Sequence, residues 1–128
     1  MIAARDFVLS LFVVLASVGS GLAADVKAKA EVSCAAAPKR LEYDCTIKLT
    51  DSRSGAALTG VNVTVGADMP SMPMAHNVKP VKATPGNEPG VYRARIVLEM
   101  HGEWAVKVDL AGQVRDRVVT SMRFEPKK

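Results

Sequence analysis

The chain has 128 residues, with 17 Lys plus Arg against 13 Asp plus Glu and a formal charge of +4. That length allows one domain and excludes a two-domain enzyme, a coiled coil or a multi-pass membrane protein. Three Phe, two Tyr and one Trp supply few rings, so the core must rely on Val, Ile and Leu, a composition that favours strands over a helix bundle.

The N-terminus reads as an export signal. Arg5 precedes the uncharged run Phe7–Val18, which decays into Ser20-Gly21-Leu22-Ala23-Ala24. A charged start, an apolar middle and a small-residue end are the three parts of a secretory signal peptide. The run is shorter than the about 20 apolar residues of a spanning helix, so cleavage after Ala23 or Ala24 is expected. Residues 1–24 are then the signal peptide and 25–128 the domain, in the periplasm or secreted. Arg5 and Asp6 cancel, so the exported domain keeps the positive charge of the whole chain. Its cations are scattered and not interleaved with aromatics, which argues against nucleic-acid binding.

Two cysteines remain, Cys34 and Cys45, with ten residues between them. That spacing does not match the tight pairs of structural metal sites. In an oxidising compartment a disulfide is expected, and closing so short a loop contributes on the order of 3 kcal/mol.

From Val26 onward the sequence alternates with period two. Val26, Ala28, Ala30, Val32 and Cys34 share one face, with Lys27, Lys29, Glu31 and Ser33 opposite. After the turn Ala35–Arg40, Tyr43, Cys45, Ile47 and Leu49 face inward, which sets both cysteines symmetrically about the turn. Val61–Val65, Tyr92–Leu98, Trp104–Leu110 and Val118–Phe124 repeat the alternation. A weaker segment, Asn77–Ala83, holds Pro80 and is expected at a sheet edge. Turn signals separate all of these, at Asp51–Gly55, Thr84–Asn87, His101-Gly102 and Ala111–Gln113. About seven short strands predict an all-β fold, an immunoglobulin-like antiparallel β-sandwich.

Met69-Pro70-Ser71-Met72-Pro73-Met74-Ala75-His76 is the segment that suggests chemistry. Thioether sulfur is a soft, uncharged donor suited to Cu(I), and imidazole suits either copper oxidation state. Met72, Met74 and His76 recur at every second residue, so an extended backbone, favoured by Pro70 and Pro73, directs them to one side. Strands running alternately up and down bring this loop, the Met100-His101-Gly102 turn and Met122 to one pole. Met72, Met74 and His76, with His101 and Met69 in support, are therefore the candidate metal ligands. Met100 and Met122 continue inward faces and are expected to pack in the core. Two histidines and no free thiol make a poor tetrahedral zinc set. No nucleophile–base constellation, G-x-S-x-G motif or phosphate-binding glycine loop is present, so no catalytic activity is expected.

Met72-Pro73-Met74, Pro89-Gly90-Val91-Tyr92 and Gly102-Glu103-Trp104, followed by Val106-Lys107-Val108, carry a family likeness. Over Lys48 to Phe124 the chain resembles the YtkA-like family, to which FixH-type proteins are related. The resemblance implies a Met-rich loop, a "PGxY" strand and a "GxW" hairpin that packs its Trp into a sandwich. It also implies an envelope domain, in some members linked with copper handling or oxidase assembly. The Cys34–Cys45 hairpin is not part of that pattern. Together these readings predict an exported, non-catalytic copper-binding domain, with copper its ligand and an envelope or membrane complex its possible partner. The rival reading is a metal-free accessory module that docks through the same loop, since exposed Met makes an adaptable apolar contact.

Overall fold

The computed structural model describes residues 26–72 and 77–126. The expected leader, Met74 and His76 lie outside the described residues. Alternation becomes strand as read. β1 (Ala28–Ala36) and β2 (Glu42–Asp51) form the first hairpin, followed by β3 (Asn62–Asp68) and β4 (Asn77–Lys82). β5 (Thr84–Pro85), β6 (Val91–Val97), β7 (Gly102–Ala111) and β8 (Asp116–Phe124) complete the chain. The strands form two sheets of four, in the orders β1-β2-β6-β5 and β4-β3-β7-β8, and every pairing is antiparallel. In chain order this is the A-B-E-D and C′-C-F-G arrangement of an immunoglobulin-like sandwich.

Eight strands stand where seven were expected. The extra one is β5, whose Thr84 and Pro85 pair with Arg93 and Tyr92. Two residues are too few for alternation to register, and Thr84-Pro85 reads as a turn. β4 lies at an edge as anticipated, and the register of β3 against β4 shifts between Val65 and Ala67, where Pro80 interrupts the ladder. A proline has no N–H to donate, so an edge with a bulge is where it does least harm.

The inward faces meet in one core. Trp104, Ile47, Leu49, Ile96, Val63 and Val65 are fully enclosed, and no polar or charged residue among those described is buried. Each aliphatic side chain buried this completely contributes about 1.5–3 kcal/mol. The polar tips of the aromatics find partners or solvent. Trp104 Nε1–H donates to the Met100 carbonyl at 3.1 Å, and the Tyr92 hydroxyl donates to the Leu58 carbonyl at 2.9 Å. Tyr43 meets Phe124 edge-on, with ring centroids 4.7 Å apart.

The disulfide joins Cys34 to Cys45, which face each other directly in the β1–β2 register. It therefore ties neighbouring strands within one sheet, unlike the inter-sheet bond of antibody domains. On the opposite side of β1, the Ala28 N–H donates to Asp116 Oδ2 at 2.9 Å and clasps the edge of one sheet to β8 of the other.

Gly90 shows why the "PGxY" turn takes glycine. Its φ is +78°, and a Cβ there would stand 2.8 Å from the Leu49 carbonyl oxygen and 3.0 Å from Ala57 Cβ. The first is backbone that also accepts no compromise, because Leu49 N–H donates to the Gly90 carbonyl at 2.8 Å. Gly90→Ala is expected to cost about 1–3 kcal/mol, read as a lower urea midpoint with an unchanged slope.

Candidate functional site

The pole bearing the methionines is assembled by the second sheet. β3 ends at Asp68 beside Ala105 of β7, while Gly102 and Trp104 of β7 pair with Phe124 and Met122 of β8. The β3–β4 connection and the β6–β7 turn therefore leave the sandwich side by side. They touch there: a Cβ on Gly102, whose φ is +141°, would come within 2.9 Å of Met69 Cε. The glycine of the "GxW" hairpin thus leaves room for the Met69 methyl as well as supplying the backbone angle.

The candidate ligands do not all face outward. Met69 is 5% exposed and belongs to the core cluster. Met72 is 38% exposed. The backbone between them is a tight turn, with Met72 N–H donating to the Met69 carbonyl at 3.0 Å. Pro70 occupies the position of that turn for which its fixed φ is suited. The expectation of an extended backbone from Met69 is therefore corrected: the segment folds back before Met72. Met74 and His76 lie outside the described residues.

Met100 was expected in the core and is instead 38% exposed, because the strand ends at Val97 and the inward alternation stops at buried Leu98. Met122 does pack, partly buried, against the core. His101 is half-buried and lines a cavity of about 300 Å³ together with the β1–β2 turn and Pro126. Sequence reasoning missed Met100 as a surface thioether; the signal was its place one residue before a His-Gly turn.

The acids near this pole are Asp68, Glu99 and Glu103. Asp68, the acid closest in sequence to the Met turn, is ion-paired with Lys107. Among the described residues there is no free cysteine and no group of three or more His, Cys, Asp or Glu arranged to hold a metal. Beside these carboxylates and His101, the pole exposes the soft, neutral sulfurs of Met72 and Met100.

Two further ion pairs join neighbouring strands. Arg95 and Asp44 face each other in the β2–β6 register and form a bidentate contact, at 2.7 and 3.2 Å. That contact holds the Asp44 carboxyl below the usual carboxylate range and raises Arg95. Arg117 is raised in the same way by Asp109. All of these groups are on the surface, where salt screens them.

A family model described as YtkA-like matches residues 24–109, about two thirds of the chain. No curated protein and no solved structure matches it. The matched span starts before β1 and ends inside β7, so it takes in the Cys34–Cys45 hairpin that the motif-based resemblance left out and omits β8.

The Asp44–Arg95 pair sets a sign for pH dependence. A carboxyl whose folded-state pKa is depressed stabilises the fold above about pH 4 and loses that contribution as pH falls through the lowered value. In a carbon-13 NMR titration, Arg95→Gln is expected to return the Asp44 carboxyl upward toward the ordinary range, and high salt to do so partially in the unsubstituted protein.

Proposed function

The chain belongs to the YtkA-like family, and we propose that it is an exported, non-catalytic domain that binds Cu(I) for copper homeostasis or delivery. Met72, Met74 and His76 are the ligands in this reading, and the structure adds Met100 as a fourth candidate. The observation that carries it is the exposure of Met72 and Met100 on two turns that abut through Met69 and Gly102. Solvent-facing Met side chains cost apolar exposure, and thioether ligation of a soft ion gives them a use. Export is supported by the Cys34–Cys45 disulfide, which suits an oxidising compartment.

Met69 takes a supporting part. Buried against Gly102, it fixes where the turn leaves the sandwich, and its side chain is far less exposed than Met72 or Met100. His101 sits across the pole among Lys39 and Arg40, two cations that oppose the approach of a third.

A second reading is favoured by the same exposure. Met72 and Met100, with Val97 at 54% exposed on the end of β6, offer flexible apolar contacts for a metal-free accessory module of an envelope complex.

Titration of the oxidised protein with Cu(I), held reduced by ascorbate, tests the first reading. Stoichiometric binding is expected, and it is expected to persist at mildly acidic pH because thioethers carry no proton to displace. Met72→Leu with Met74→Leu should weaken it by roughly a hundredfold, the upper range for altered metal sites, without moving the unfolding midpoint. Binding that survives both substitutions would sink the copper reading. Capture of an envelope protein without copper, lost on Met72→Ser, would favour docking.

A further inference from the structure

The cavity at the β1–β2 turn stands apart from the Met turn and has its own chemistry. Its volume of about 300 Å³ lies at the lower end for small-ligand pockets. Ala37, Pro38, Leu41 and Pro126 give it apolar walls, while Lys39, Arg40 and Glu42 bring charge to it and His101 an imidazole. Two permanent cations face one carboxylate there.

Tyr43 supplies a polar group with no hydrogen-bond partner among the described residues. The residue lines this cavity and is 7% exposed, and its hydroxyl makes no hydrogen bond with the described residues. No fully buried side-chain nitrogen or oxygen among them lacks a partner, so this hydroxyl reaches solvent, and the cavity is the space that Tyr43 borders.

The wall is built rather than loose. Leu41 has φ +64°, a backbone angle that costs a branched side chain energy. Three backbone bonds hold it there: Glu42 N–H to the Lys39 carbonyl at 3.3 Å, Ala37 N–H to the Glu42 carbonyl at 2.9 Å, and Leu98 N–H to the Leu41 carbonyl at 2.8 Å. The last ties the turn to the end of β6, next to His101. Strain kept in place by surrounding structure is a mark of functional loops.

We infer that this cavity is a binding site for a small organic carboxylate, whose apolar body lies against Pro38, Leu41 and Pro126 and whose charge is met by Lys39, Arg40 and the Tyr43 hydroxyl. The apolar walls select against free inorganic ions, and the excess of cations selects against amines. The site is independent of copper, since no Met takes part.

Benzoate is the probe, followed by amide shifts in nitrogen-15 NMR of the oxidised protein at constant ionic strength. Saturable shifts are expected at Arg40–Tyr43 and His101, with benzyl alcohol and benzylammonium weaker by roughly tenfold or more, the value of one charge-assisted contact. Lys39→Gln with Arg40→Gln should weaken benzoate by a similar factor, and Tyr43→Phe severalfold, each with unchanged amide shifts in β3 and β7, away from the substituted hairpin. A second arm uses an acetylated dipeptide as its free acid and as its amide. Tighter binding of the acid than of benzoate supports the site and assigns its ligand to a chain terminus; the reverse supports it and assigns a free metabolite acid. Shifts that do not saturate, equal binding of benzyl alcohol, or benzoate binding untouched by the Lys39 and Arg40 substitutions would overturn the inference.

Discussion

Burying the indole of Trp104 imposes a condition that organises one whole end of the molecule. A ring enclosed on every side gains apolar burial, but its N–H must keep a hydrogen bond or forfeit much of that gain. The acceptor is the Met100 carbonyl, four residues earlier. Meeting it bends the chain back between β6 and β7, puts Met100 and His101 on the outside of the bend, and requires the backbone angle that Gly102 supplies. Met69 then fills the space beside the glycine. A core demand thus reaches the surface through three contacts, and the positions of the exposed side chains follow from it.

Two kinds of surface chemistry share that end without merging. On the side of the second sheet, thioethers stand beside an acid paired with Lys107. On the side of the first sheet, the β1–β2 turn carries the cations Lys39 and Arg40.

Much of the architecture was legible because the side-chain period of a strand is two and both sheets bury one face. Val63, Val65, Trp104, Val106 and Val108 all fall where alternation puts them. The same rule fails at element ends. Thr84–Pro85 is too short to alternate, and Met100 continues the inward parity of β6 on paper although the strand has ended. Met69–Met72 was read as extended because proline excludes helix; proline also suits the second position of a tight turn, and the Met69–Met72 bond decides for the turn. The cavity beside Tyr43 left no trace in the sequence, since its residues come from a hairpin turn, a second turn and the tail after β8, and only folding places them together. The disulfide was legible because its partners lie on one face, equidistant from a single turn.

Ala28, clasped to Asp116, marks the end of the sandwich opposite Gly102 and Phe124. β1 runs from that end across nine residues, a span of about 30 Å at the usual rise of a strand. Anything joined to the domain on the N-terminal side is consequently held at the far end from Met69 and the β6–β7 bend.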